Sequence, residues 1–195
     1  MQTSGWHWYS REVRLEMTII DELKKSLNLK PHPNEGGYFA ETYRSTDWII
    51  TSNGERSIAT AIYYLLTPDS FSALHKLTGD EIFHFYAGDP VEMLMLFPNG
   101  SSQTVVLGAD VIGGMKPQHV VPGGVWQGSR LVQGGKYALL GTTMSPGFDY
   151  GDYIHGNREE LIAQYPERAE IIQQLTISKQ HDQQTTRSAN NTISK

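Results

Sequence analysis

The most informative absence in this sequence is that of cysteine. None of the 195 residues is a cysteine, so disulfide bonds and thiol chemistry are excluded. Any bound metal would need histidine, carboxylate or amide ligands. The sequence also has no apolar run near the roughly 18 residues that a membrane-spanning helix requires, and no signal-peptide segment near its first residue. We therefore expect a cytoplasmic protein without a membrane partner.

Clusters of positive charge are absent as well. The formal net charge is −5, from 16 Lys and Arg against 21 Asp and Glu, and the basic residues form no runs. This balance argues against nucleic acid as a partner. A hydrophobic content of 38% with 19% charged residues is ordinary for a globular protein, and a chain of this length suits one domain.

The two ends differ from the middle in composition. Residues 1–16 are predicted to form an irregular N-terminal extension, and Met17 directly precedes the first organised segment, where we suspect the natural start. Residues 178–195 are rich in Gln, Asn, Ser and Thr and predict a disordered tail. A single domain is expected over residues 17–177.

Within that domain, strand signals dominate and helix signals are confined to its edges. Thr18–Leu29 has apolar residues at helical spacing, and 158–175 predicts two short helices interrupted at Pro166. The predicted strands are Tyr38–Arg44, Ser57–Leu66, Ser70–Leu77, Glu81–Ala87, Val91–Phe97, Ser102–Leu107, Gln118–Val121 and Lys136–Ser145. Many short strands without intervening helices predict an all-β fold, an antiparallel sandwich or jelly-roll barrel with short flanking helices.

One spacing carries most of the functional information. His75, Glu81 and Gly88 match the pattern His-x-His-x3-Glu-x6-Gly, except that Leu77 takes the place of the second histidine. Residues i and i+2 of a strand share a face, so His75 and Leu77 point into the space that the sheet encloses. After a turn at residues 78–80, Glu81 can rejoin His75 on that inner face.

A second segment matches another pattern of the same kind. Pro122 to Gln127 fits Pro-x-Gly-x2-His, with Gln127 in place of the histidine. The two patterns resemble the signatures of the cupin superfamily, and the segment from Pro33 to Arg44 resembles the opening of a family of small cupins catalogued as a domain of unknown function. This resemblance implies a β jelly roll, usually paired as a homodimer, and it implies no particular reaction.

A more distant resemblance suggests a reaction. The run from Gly37 to Tyr43 is similar to the Gly-Phe-Phe-x-Glu-x-Phe segment of dTDP-sugar 3,5-epimerases, which are cupins without metal. It implies a histidine base at the position of His75 and a tyrosine acid, for which the candidates are Tyr137, Tyr150 and Tyr153. Asp149 is a candidate for the acidic partner of the base.

These patterns define a candidate pocket with polar and aromatic walls. His75 and Glu81 are the predicted catalytic residues, and strand parity predicts that His84 and Trp126 face away from the pocket. Arg44 is a candidate for binding an anionic group on the ligand. The predicted ligand-binding residues are Tyr38, Glu41, Tyr43, Arg44, Tyr63, Phe83, Phe85, Gln127, Phe148 and Asp149.

Three functions remain open at this point. The first is a metal-independent cupin that binds a small polar molecule, such as a sugar or nucleotide sugar, and isomerises or epimerises it with His75 as general base. The second is an enzyme with a divalent metal on His75, Glu81 and Gln127. Against it, one imidazole and one carboxylate hold a metal weakly, and Leu77 and Gln127 replace two histidines. The third is a ligand-binding or storage-like cupin without catalysis.

Overall fold

The structure is a computed structural model that describes residues 19–177. The predicted N-terminal extension and the predicted tail lie outside the described residues. Within the described range, no helix is long and apolar enough to span a membrane.

Short strands make up most of the described chain, with helices near its two ends. Helix α1 covers residues 19–26, and helices α2 and α3 cover Arg158–Gln164 and Ala169–Gln174. Single 3-10 turns occupy Tyr150–Asp152 and Pro166–Arg168. The strands are β1 Lys30–Pro31, β2 Tyr38–Arg44, β3 Trp48–Thr51, β4 Gly54–Ser57, β5 Thr60–Leu66, β6 Ser72–Lys76, β7 Glu81–Gly88, β8 Val91–Leu96, β9 Ser102–Leu107, β10 Gln118–Val121, β11 Trp126–Leu131, β12 Ala138–Met144 and β13 Ile154–His155.

Two antiparallel sheets pack face to face, as the sequence predicted. One has the strand order β1-β2-β5-β12-β7-β10, and the other has the order β13-β6-β11-β8-β9. Their inner faces share one apolar core, to which Leu66, Phe83 and Leu140 contribute from the first sheet and Met93 and Leu107 from the second. The prediction of an all-β sandwich with short flanking helices is confirmed.

The two C-terminal helices cover the outer face of the five-stranded sheet. Leu94 and Leu96 alternate with inward-facing methionines and pack against Leu161, Tyr165 and Ile172. The predicted interruption of the helical segment is confirmed, since Pro166 begins a 3-10 turn between α2 and α3. Trp126 packs on this outer side while its neighbour Gln127 is buried within the sandwich, so the predicted opposite parity of the two is also confirmed.

Two parts of the strand prediction were wrong. The predicted strand Ser57–Leu66 is split, because Gly54–Ser57 pairs instead with Trp48–Thr51 in a separate hairpin. Strand β11 was missed, although it pairs with β6 on one side and β8 on the other. Its buried Gln-Gly-Ser segment has little intrinsic strand preference, and its position between two sheet neighbours holds it extended.

Candidate functional site

A cavity of about 210 Å³ lies against the inner face of the six-stranded sheet. Its wall consists of side chains from β2, β5, β7 and β12, and it is closed by the segments that precede β2 and follow β12. The lining residues are His32, Glu35, Phe39, Glu41, Arg44, Thr60, Ile62, Tyr64, Leu77, Glu81, Phe83, Thr142, Met144, Phe148, Asp149 and Tyr150.

Glu81 places a buried carboxyl group in this cavity. It is the first residue of β7, only 7% exposed, and its Oε2 accepts a hydrogen bond of 2.6 Å from Nε2 of Gln127. Burial raises the pKa of Glu81 to about 7, and the nearby carboxyl of Glu35 adds to this effect. His75 and the hydrogen bonds from Thr142 and Gln127 oppose it. Near neutral pH, Glu81 is therefore present in both its acid and its base form.

Glu35 brings a second carboxyl group to the same cavity. Its backbone is fixed, because its N–H donates to Nδ1 of His32 at 3.0 Å and its C=O accepts from the N–H of Ala73 at 2.8 Å. Within residues 19–177, its carboxyl accepts one long hydrogen bond, from Ser72 Oγ at 3.4 Å. Burial raises the pKa of Glu35 above its ordinary range. The site thus contains two carboxyl groups that both resist ionisation.

His32 forms the third polar group of the cavity. Because its Nδ1 accepts the Glu35 N–H, the hydrogen-bond network assigns the proton of the neutral ring to Nε2, which lies 3.6 Å from Glu35 Oε1. The ring packs edge-on against Phe39 with a centroid distance of 4.7 Å. Burial lowers the pKa of His32, which favours the neutral ring. Sequence reasoning named neither residue as a site residue, although Glu35 lies in the segment from Pro33 to Arg44 that resembles the small-cupin family.

His75 lies behind the cavity wall and does not line it. It is 1% exposed, and its ring stacks on Tyr153 with a centroid distance of 5.1 Å. Its Nδ1 lies 2.8 Å from the carbonyl oxygen of Ala73, which assigns the proton to Nδ1 and leaves Nε2 as an acceptor. That Nε2 lies 3.8 Å from Glu35 Oε1. Burial lowers the pKa of His75, so the ring is held neutral.

The rim of the cavity contains a paired arginine. Arg44 donates from Nε and Nη2 to the carboxylate of Glu41, at 3.0 and 2.7 Å, and from Nη1 to the carbonyl oxygen of Phe148 at 3.1 Å. The register of β2 against β5 shifts between Glu41 and Tyr43, so Arg44 follows Glu41 on the inner face. Tyr43 is displaced outwards and is 54% exposed. This β-bulge is the physical reason why Tyr43 lies outside the cavity.

The remaining predicted ligand-binding residues divide between the cavity and other places. Phe83, Phe148 and Asp149 line it, together with Glu41 and Arg44. Tyr38 faces outwards beneath Lys24, whose Nζ is 3.7 Å from the ring centroid. Tyr63 packs against Tyr86 with a centroid distance of 6.0 Å, outside the cavity lining.

Two other predicted ligand-binding residues, Phe85 and Gln127, do not line the cavity. Phe85 packs into the apolar core between the sheets. Gln127 lies behind Glu81, to which it donates. Of the three candidate tyrosine acids, Tyr150 lines the cavity, Tyr153 stacks on His75, and Tyr137 belongs to neither group. His84, predicted to face away, is bonded to Thr143 and Gln118 and is not among the lining residues.

The residues of the alternative metal site do not form a coordination set. Gln127 directs its N–H towards Glu81, and Leu77 offers no lone pair at the position of the missing histidine. Among residues 19–177, no group of three or more His, Cys, Asp or Glu side chains has the geometry to hold a metal ion. The donor set therefore does not fit the usual cupin metal centre.

Comparison with known proteins places this fold and its motifs in a family. The model of the family described as Cupin superfamily (DUF985) matches residues 21–155. The chain belongs to the DUF985 family of cupins. This DUF985 cupin is 34% identical over 152 residues to the uncharacterized protein YML079W of Saccharomyces cerevisiae, covering 69% of this chain and 75% of that protein.

Solved structures show the same fold. A hypothetical protein from Leishmania major has a TM-score of 0.75 and 34% identity, covering 81% of this chain and 98% of the other. Protein SO0799 from Shewanella oneidensis also has a TM-score of 0.75, with 36% identity over 82% of this chain and 98% of the other. These similarities establish a cupin fold. The similarity to sugar epimerases remains a resemblance of one short segment.

Proposed function

We propose that this DUF985 cupin binds a small sugar-like molecule in the cavity and isomerises or epimerises it by proton transfer through Glu81. One observation carries the proposal: the Glu81 carboxyl lines the cavity and is held in place by Gln127. The catalytic role that the sequence suggested for His75 passes to Glu81, because His75 lies behind the wall.

The acid–base properties of Glu81 suit this role. General acid–base catalysis is most effective when the pKa of the group lies near the working pH, and the pKa of Glu81 is raised to about 7. In the proposed step the carboxylate takes a proton from a carbon next to a carbonyl group. The C–H electron pair moves into an enolate. In an isomerisation Glu81 returns the proton to the former carbonyl carbon, while a hydroxyl proton moves to the former carbonyl oxygen. In an epimerisation a second acid, for which Tyr150 is the candidate in the lining, donates a proton to the opposite face. No oxidant or reductant is required.

The size and lining of the cavity support a ligand no larger than a monosaccharide. A volume of about 210 Å³ is below the roughly 300–1,000 Å³ of pockets that hold drug-sized ligands. Phe39, Phe83 and Phe148 offer apolar faces, while Glu35, Glu81 and His32 offer hydrogen-bonding groups. Apolar walls with a few polar groups that fix orientation are typical of small-molecule sites.

Exchange of substrate hydrogen with solvent tests the proposal directly. The full chain is incubated in D2O with a panel of aldoses and ketoses of up to six carbons, and proton NMR follows the signal next to the carbonyl. We expect loss of that signal for at least one compound, at a rate that rises with pH through about 7 as Glu81 ionises. Glu81→Gln should lower the rate at least about 100-fold.

The exposed Glu55 provides a matched control, because Glu55→Gln makes the same chemical change on β4, away from the cavity. It should leave the rate unchanged. Exchange that persists in Glu81→Gln would contradict the role of Glu81. Binding without exchange across the whole panel would favour the non-enzymatic alternative, and exchange abolished by a chelator would favour the metal-dependent one.

We also propose that the chain forms a homodimer through the outer face of the six-stranded sheet. Support comes from exposed apolar side chains on that face, with Tyr86 at 52%, Tyr43 at 54% and Val120 at 46% exposure. Such patches are typical of protein–protein contacts. Light scattering coupled to size-exclusion chromatography should give a dimer mass for the native chain and a monomer mass for Tyr86→Glu. A native monomer would refute the pairing.

A further inference from the structure

The two carboxyl groups at the polar end of the cavity receive few hydrogen bonds. Among the described residues, the Glu35 carboxyl accepts one long bond, from Ser72 Oγ at 3.4 Å. Glu81 accepts from Gln127 and Thr142, and it lines the same cavity as Glu35. A buried carboxylate normally has several hydrogen-bond donors or a cationic partner. Glu35 therefore has room for further donors.

No side chain that lines the cavity supplies a free positive charge to the two carboxyls. Arg44 is the one Lys or Arg among the lining residues in the described part of the chain. Its guanidinium is already bonded to Glu41 and to the carbonyl oxygen of Phe148. The imidazoles of His32 and His75 are 3.6 and 3.8 Å from Glu35, but burial favours the neutral form of both.

Two buried polar atoms beside these carboxyls also have no hydrogen-bond partner within the described residues. They are Nε2 of His75 and Oε1 of Gln127, on side chains that are 1% and 2% exposed. Nε2 of His75 is directed at Glu35, and the other amide atom of Gln127 donates to Glu81. With the His75 proton on Nδ1, both orphaned atoms are acceptors. Buried polar atoms without partners are uncommon, and both of these atoms lack a donor. Neither residue lines the cavity, so the two atoms add acceptors around Glu35 and Glu81 and do not themselves contact a ligand there.

We propose that the cavity takes a small organic cation, a sugar-sized molecule with a primary amine, whose ammonium group is held by Glu35. An ammonium group has three donors, no acceptor and a positive charge. Bound beside Glu35, its charge would oppose the effect of burial and favour the ionised carboxylate, which then accepts its hydrogen bonds. The rings of Phe39 and Phe83 lie in the same lining and add attraction for a cation. This assignment rests on the proposed function, since it names the substrate class of the same site and leaves Glu81 as the proton-transfer group.

The charge at the rim favours the same class of ligand. Glu41 and Asp149 line the cavity beside Arg44, whose charge is balanced by Glu41. The lining thus contains four carboxyl groups and one arginine. The negative potential of ionised carboxyl groups attracts cations and repels phosphate-bearing molecules. Of the two ligands that the sequence suggested, a nucleotide sugar is therefore disfavoured.

Calorimetry with matched ligands tests the proposal. The probes are glucosamine, galactosamine and mannosamine, each compared with its N-acetyl derivative and its parent sugar, and glucose 6-phosphate as the anionic probe. Titrations at about pH 6.5 keep the amines charged. Full-length Glu81→Gln is used, because it binds without proton transfer. We expect at least one amine to bind about 10- to 100-fold more tightly than its N-acetyl derivative, the range for loss of a charged hydrogen bond.

Substitution of Glu35 tests whether this residue causes the preference for the amine over its N-acetyl derivative. In the Glu81→Gln background, Glu35→Gln should remove the preference for the amine, whereas Glu55→Gln should retain it. Circular dichroism confirms that each variant is folded, and Glu35→Asp, which keeps the charge, should preserve part of the preference. If no amine exceeds its N-acetyl derivative, or if Glu35→Gln retains the preference, the proposal is overturned.

Three further outcomes distinguish this proposal from metal binding and from the proposed catalysis. Stoichiometric binding of Zn²⁺ or Mn²⁺ that competes with the amine and is lost in Glu35→Gln would overturn it, because the acceptors would then be metal ligands. Amine selectivity in the variant without solvent exchange in the native chain would refute the proposed catalysis alone. Exchange of a neutral sugar without amine selectivity would refute the amine assignment alone.

Discussion

Replacing Glu81 by glutamine should stabilise the protein at high pH, because the buried carboxyl opposes folding once it ionises. Glu81 is 7% exposed, and its pKa is raised from an ordinary 4.5 to about 7, chiefly by burial. Glutamine has nearly the same shape and can still accept the hydrogen bond from Gln127 through its amide oxygen. The substitution therefore removes a charge and little else.

The size and direction of the effect follow from proton linkage. The folded state binds the Glu81 proton more tightly than the unfolded state, so this contribution to stability is complete below pH 4.5 and is lost as the pH rises through about 7. Each tenfold change in proton affinity corresponds to about 1.4 kcal/mol. Between pH 5 and pH 8 the native protein should therefore lose about 2–3 kcal/mol that Glu81→Gln does not lose.

Urea unfolding at pH 5 and pH 8 measures this difference. The free energy of unfolding of Glu81→Gln minus that of the native protein should increase by the stated amount between the two pH values. The exposed Glu55→Gln variant should show no such increase. Glu35 also titrates with a raised pKa, but it is present in both proteins, and the comparison largely removes its contribution. An equal pH dependence in native protein and Glu81→Gln would refute the assignment of a raised pKa to Glu81.

Three other substitutions test the scaffold. Gly88 has a φ of +99°, and a Cβ there would lie 2.3 Å from the carbonyl oxygen of Tyr137. Gly88→Ala should therefore lower the free energy of unfolding, measured by urea titration, by about 3 kcal/mol. Gly100 has a φ of +86° but open space around it, so Gly100→Ala should cost about 1 kcal/mol; equal costs would show that the contact at Gly88 does not matter. Tyr165 is fully buried, and its hydroxyl donates to the carbonyl oxygen of Phe97 at 2.7 Å. Tyr165→Phe should lower the thermal unfolding midpoint by an amount equivalent to about 1 kcal/mol. An unchanged midpoint would argue against that hydrogen bond.

The sequence predicted where the candidate site lies, but it did not predict which of its residues line the cavity. The spacing from His75 to Glu81 indicated the inner face of the sandwich, and both side chains are buried there. Spacing along the chain does not reveal how deep each side chain lies. Stacking on Tyr153 places His75 behind the cavity, whereas Glu81 reaches it. The general base suggested by resemblance therefore differs from the group that the geometry favours.

Other members of the site depended on contacts between distant segments. Glu35 is fixed by its bond to Ala73, and His32 by its bond to Glu35. The resemblance of the segment from Pro33 to Arg44 indicated a family and did not single out Glu35 as a site residue. A β-bulge near Thr42 exchanged Tyr43 for Arg44 on the inner face, against simple alternation. A bulge of this kind changes the parity of a strand without a distinct residue pattern. Of the two neighbours predicted to bind ligand, Arg44 therefore lines the cavity and Tyr43 does not.

Strand periodicity and residue identity are local properties, so they were enough to predict the class of fold, the two cupin-like motifs and the lack of histidine at two motif positions. Which acidic groups share a cavity, and which of them accept few hydrogen bonds, depends on tertiary packing. The pKa of Glu81 depends on burial by both sheets and on Glu35, which is 46 residues away along the chain and adjacent in space. Desolvation and charge proximity arise only when distant segments pack together, and they are the terms that give this site its chemistry.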